Sequence, residues 1–211
     1  AMVVLAAGVP MAPFMIESYD DALLVNYAKS FVNFSWLGAY SKVALTKNPG
    51  FSLALALFYR LGISYQAGFC ILYVCACVVC CCAFSPLVRS KKIAGALYVC
   101  MLYAPYLFAR DYVQRVYRMG FDIPLVMILF ASYVAIYLRC ESSSVKRLML
   151  WAVVGGIGLS ALSLVKENAM WAMPFVVVCT LVIVTKWLFM LRKRRVGGIG
   201  VLCRVLMILV P

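Results

Sequence analysis

The sequence predicts an all-α protein, a polytopic transmembrane helical bundle with interfacial helices in its first outer loop, and three observations predict it. First, 66% of the 211 residues are hydrophobic, 13% are charged and the mean hydropathy is +1.01, more apolar surface than a soluble domain of this size can bury. Second, apolar runs of spanning length recur along the chain. Third, the basic residues gather in short clusters between those runs, so the net charge of +13 reflects membrane topology rather than a nucleic-acid-binding face.

The opening stretch, 1–16, is shorter than the roughly 20 residues a span needs and has no basic n-region, so it reads as a partial first helix. Residues 17–65 form an outer loop with structure of its own. There Leu24, Tyr27, Ala28, Phe31 and Phe34 recur at helical spacing with Asn26, Lys29, Ser30 and Asn33 opposite, which predicts an interfacial helix. "TKNPG" breaks the chain, and "FSLALALFYRLGI" is too short to span, so it predicts a second interfacial or re-entrant helix. Runs at about 66–88, 93–109, 122–138, 148–165 and 169–190 predict five spans. A truncated one begins at 196, so that 1–211 reads as one transmembrane module of a longer chain. "GGIG" at 155–158 suits close helix packing.

Orientation follows from "RSKK" at 89–92, "RCESSSVKR" at 139–147 and "RKRR" at 192–195, which lie two spans apart and therefore share one side, the cytoplasmic one. Glu17, Asp20, Asp21, Asp111, Asp122 and Glu167 then fall on the other side, leaving Glu141 alone inside. Acidic residues contribute little to insertion, so this sorting marks the outer face as a candidate site. Histidine is absent, which excludes Ser-His-Asp chemistry and histidine metal sites. The ten cysteines lie in or beside apolar runs and read as small apolar filler.

Three stretches share an order that carries more information than any one of them: "YDDALLVNYAKSFVNFSWLGAYSKVALTKNPGFSLALALFYRLGIS", "RVYRMGFDIPLVMILFA" and "SLVKENAMWAMP". Together, over about 19 to 174, they resemble the successive signature stretches of bacterial polytopic glycosyltransferases of the GT-C architecture. The resemblance implies a catalytic carboxylate in the first outer loop, a polyprenyl-phosphate-linked sugar as donor, and transfer to a glycan, lipid or protein acceptor outside the cell membrane. It places the acid pair at Asp20 and Asp21 and substrate contacts at Lys47, Arg115, Arg118, Lys166 and Glu167. The chain departs from the pattern at Met119, where relatives often carry an acid, and in having a single acid, Glu167, after Lys166.

Such a transfer needs a base for the acceptor hydroxyl, and Asp20 or Asp21 fits it if mutual repulsion and partial burial raise a pKa. Ser18 and Asp21 also have capping-box spacing, so the acids equally suit the start of the interfacial helix, and Asp20 is the preferred base because Asp21 has the better capping position. A departing lipid phosphate needs cations. Arg115 and Arg118 share a helical face for it, although Asp111–Arg115 and Arg118–Asp122 also have ion-pair spacing. Lys166 and Glu167 either contact phosphate and sugar or form the polar cap of a helical hairpin anchored by Trp171. Tyr19, Trp36 and Tyr40 either stack on sugar or prenyl groups or belong to an aromatic belt. The carboxylates leave two alternatives open, a Mg or Mn ion held by Asp20 or Asp21 and the donor phosphate, or no metal, with nearby cations in its place. The competing reading is a polytopic transporter or lipid flippase, which predicts mid-span ionisable residues and repeated halves.

Overall fold

The computed structural model describes residues 20–36, 47–88, 90–104, 116, 118–141, 144–167 and 169–192, with the side chains of 20, 21, 191 and 192 outside the description. Seven α-helices and one 3-10 turn account for almost all of them, and no strand occurs among the described residues. They are α1 (Asp20–Val32), α2 (Gly50–Arg60), α3 (Tyr65–Phe84), α4 (Lys91–Leu102), α5 (Met119–Arg139) and α6 (Val145–Val165). The 3-10 turn Ala169–Ala172 then leads into α7 (Met173–Arg192).

Four helical segments are long and apolar enough to cross a bilayer: Tyr65–Phe84, Met119–Arg139, Val145–Val165 and Ala169–Met190. Their outward faces carry Leu150, Val153 and Ile157 on α6 and Val178, Leu181 and Leu188 on α7, all exposed. Side chains of that kind belong in lipid, and the chain is an all-α membrane protein.

The expected span at 93–109 is different. α4 stops at Leu102, twelve residues after it starts, and Pro105 follows shortly; a proline disfavours helical backbone at the residue before it. The chain nevertheless returns across the bundle. Arg139 at the end of α5 donates to Ala83 O (2.8 Å) and Ser85 Oγ (2.9 Å) at the end of α3, while Tyr65 and Phe121, near the two starts, stack on each other. α3 and α5 therefore run parallel, and the connection between them must recross. Tyr73 Oη ties α4 to α3 on the way by donating to Met101 O at 2.6 Å.

α5 is the central helix, packed most heavily against α6 and α3. A Cβ at Gly155 would lie 3.0 Å from Ser132 Cβ, and one at Gly158 would lie 3.2 Å from Ile128 Cγ2, so these two glycines set the α5–α6 separation. Lys186 on α7 pairs with Glu141 (3.2 Å) and donates to Tyr137 O (3.1 Å), bringing the end of α7 beside the end of α5. The described residues of two basic clusters, 90–92 and 139–141 with 144–147, thus flank one end of the bundle, as expected; 193–195 lie outside the described residues.

α1 and α2 lie side by side and parallel, because Ser52 Oγ donates to Leu24 O (2.8 Å) near their starts and Arg60 donates to Val32 O (2.6 Å) at their ends. Leu24, Tyr27 and Ala28 are buried on the face the periodicity predicts. Phe34 is not part of it: the helix ends at Val32, and Phe34 has φ 56° and is 85% exposed beneath the Arg60 guanidinium. Phe51 closes the inner side of this pair, fully buried and edge-on to Phe121 at 5.2 Å.

Candidate functional site

The end of the bundle opposite the basic clusters gathers charge from three segments far apart in sequence. Glu167, in the short connection after α6, is the hub. Its Oε2 accepts from Arg118 Nη1 at the start of α5, and its Oε1 accepts from the Asn48 backbone N–H at 3.3 Å, just before α2. Burial alone would raise the Glu167 carboxyl, but its own backbone N–H, the Arg118 guanidinium and the Asn48 N–H outweigh this and hold it below the usual glutamate range. Beside this pair, Lys166 Nζ lies 3.0 Å from Asp122 Oδ2 and 5.6 Å from the centroid of Trp171.

Local sequence explains why these segments meet. A Cβ on Gly50 would sit 2.6 Å from the Leu164 carbonyl carbon, so only glycine lets the start of α2 close on the end of α6. Asn48 Nδ2 then reaches Ser163 O at 2.7 Å, capping an otherwise unpaired end of that helix. The "NPG" of the first loop is thus a docking device for the α6 terminus. Asn48 and Asp122 were not among the residues singled out from sequence as substrate contacts; the Pro-Gly break marked the first, and the second was marked only as an outer-face acid at ion-pair spacing from Arg118.

The ion pairs differ from those expected. Arg118 and Asp122 have the i,i+4 spacing of a pair within one helix, yet each bonds across to the α6 connection, Arg118 to Glu167 and Asp122 to Lys166. Arg118 stands immediately before the first residue of α5, and from there its side chain meets the α6 connection. Lys166 and Glu167 do cap a helical hairpin, as one of the two readings held, with Trp171 beside them, and they do so by clamping α5.

The parallel α1–α2 pair carries the first turn of α1, and with it the backbone of Asp20 and Asp21, to the end where Asn48 meets Glu167. Lys47 is half-buried next to Asn48. Trp36 is not brought there: it packs edge-on against Phe31 at 5.2 Å beyond the other end of α1, a helix roughly 20 Å long, so it belongs to the interfacial surface and not to the charge cluster. Tyr19, Tyr40 and Arg115, and the side chains of Asp20 and Asp21, lie outside the described residues.

An apolar groove of about 610 Å³ runs along α1 from Val25 to its end, between α1, α2 and the start of α3, lined among others by Val25, Ala28, Leu55, Phe58, Tyr65 and Val116. None of Asn48, Arg118, Asp122, Lys166 and Glu167 lines the groove; its lining comes nearest to them in sequence at Val116, two residues before Arg118. Its volume suits a ligand of substantial apolar bulk. Among the described residues no three histidine, cysteine, aspartate or glutamate side chains converge on a metal position. Glu167 and Asp122 are each engaged by a cation of the chain. No protein-family model matches the chain, and neither a curated protein nor a solved structure is significantly similar to it.

Proposed function

We propose that the chain is a membrane glycosyltransferase that moves a sugar from a polyprenyl-phosphate donor to a cell-envelope acceptor on the extracytoplasmic side of the cell membrane. The observation that supports this reading is that one chain carries both an apolar groove of about 610 Å³, whose lining includes Val116 two residues before Arg118, and a charged cluster built from Asn48, Arg118, Asp122, Lys166 and Glu167, at the end of the bundle where α1 begins with Asp20 and Asp21. A donor of this class has two parts that match these two features: a prenyl tail for the groove and a phosphate for the cations.

In the reaction the acceptor hydroxyl oxygen forms a bond to the anomeric carbon, and the bond from that carbon to the phosphate oxygen breaks. Its electron pair leaves on the polyprenyl phosphate, and the hydroxyl proton passes to Asp20 or, less directly, Asp21. Arg118 and Lys166 supply positive charge where the leaving oxygen becomes anionic. Glu167 acts by holding Arg118 and the first loop in register, which places it among the positioning groups rather than the reacting ones.

The test is transfer from a radiolabelled polyprenyl-phosphate sugar by the full-length protein in nanodiscs. Asp20→Asn is expected to lower turnover by about 10²- to 10⁴-fold, the range for loss of a positioned base, with a smaller loss for Asp21→Asn. Undiminished turnover in both variants sinks the assignment of the base, and absence of transfer by the unaltered protein sinks the function.

A further inference from the structure

Asp122 is the least expected member of the cluster. Only 8% of the residue is exposed; Oδ2 pairs with Lys166, while Oδ1 is sealed from solvent and has no hydrogen-bond partner. A carboxylate oxygen left in that state opposes folding, and the favourable field of the α5 N-terminus offsets only part of it. A residue retained for stability alone would have both oxygens satisfied. What Asp122 does supply is negative charge, 3.0 Å from one of the two cations assigned to phosphate.

Among the described residues, the two ion pairs at this end of the bundle join two cations, Arg118 and Lys166, to two anions, Asp122 and Glu167, so these four charges cancel. That balance matters for a site whose ligand changes charge. A lipid-linked sugar phosphate is a diester with one negative charge, whereas the lipid phosphate left after transfer is a monoester with about −1.5 to −2 at neutral pH. Unopposed cations would bind the product more tightly than the substrate and slow its release. We propose, building on the function inferred above, that Asp122 is a specificity-determining counter-charge that keeps the cation site from retaining a phosphomonoester lipid in preference to a phosphodiester lipid. It acts through Lys166 and touches no reacting atom.

The probes are undecaprenyl phosphate and its methyl diester, titrated onto the full-length protein in nanodiscs and read by intrinsic tryptophan fluorescence. The unaltered protein is expected to bind the two lipids within about threefold of each other. Asp122→Asn, which keeps the shape and removes the charge, is expected to tighten the monoester about tenfold more than the diester, the size expected for one charge at close range in a partly buried site. Lys166→Gln is expected to move the same ratio the other way. A structural role alone predicts parallel weakening of both lipids, and that result overturns the proposal. So does a preference of more than tenfold for the monoester in the unaltered protein, a measurement that holds even if Asp122→Asn does not fold. Binding needs no turnover, so the shift in ratio can stand if sugar transfer is never seen, and transfer can stand if the ratio does not shift.

Discussion

Glu167 shows how much of this site is carried by one side chain. It joins the first loop to α5, and its carboxyl is held low by donors that exist only in the folded chain. A folded value below the unfolded one means that the stabilisation is present above the ordinary glutamate range and is lost as the pH falls through the lowered value. Glu167→Gln removes the carboxylate that pairs with the largely buried Arg118 and is expected to cost about 1–3 kcal/mol at neutral pH. The cost should shrink on acidification, because the unaltered protein loses the same interaction when its carboxyl protonates. Thermal unfolding in detergent between about pH 7 and pH 3 reads this directly. Melting curves that stay equally far apart over the whole range would show that Glu167 matters for its shape and not its charge.

At the scale of elements, α6 offers two adjacent glycines with opposite expectations. Gly155 faces Ser132 of α5 at a separation that a methyl group would bring to 3.0 Å, whereas a Cβ on Gly156 meets nothing within 4 Å. Gly155→Ala should therefore push the helices apart and destabilise by about 1 kcal/mol or more, and Gly156→Ala should be neutral or stabilising by up to about 1 kcal/mol through helix propensity. Equal effects in guanidinium-free thermal or SDS unfolding would contradict the packing of α6 on α5. The "GGIG" pattern was readable because small residues in an apolar run have few other uses; which glycine faces the neighbour depends on the rotation of the helix and was not. Helix length was likewise readable only where no breaker intervened. The hydropathy of 93–109 runs on past Leu102, but hydropathy is indifferent to backbone, and the helix ends ahead of Pro105. The periodicity of α1 was carried two residues too far for the same reason, to Phe34.

For the whole molecule, what the sequence made legible was the sorting of charge between two ends, and the structure adds which charges bond. Arg118–Glu167 and Lys166–Asp122 join segments separated by over forty residues, and such pairs follow from the antiparallel packing of α6 against α5, which spacing within a helix cannot encode. Trp36 was a poor candidate for the opposite reason: aromatic residues favour any membrane interface, and proximity in sequence to the acid pair did not make it a neighbour in space. The sorting also fixes a sidedness that can be measured. Leu87 and Lys146 are exposed beside the basic clusters at one end of the bundle, and Met170 is exposed beside the Lys166–Glu167 connection at the other. If the basic end is cytoplasmic, a membrane-impermeant maleimide added to intact cells should label Met170→Cys and leave Leu87→Cys and Lys146→Cys unlabelled until the membrane is opened, in a background freed of the ten native cysteines. The reverse pattern would put the charge cluster and α1 in the cytoplasm, where acceptors of the cell envelope are out of reach. Labelling of Leu87→Cys and Met170→Cys from the same side would break the parallel arrangement of α3 and α5 itself, because the two ends would no longer be separated by the bilayer.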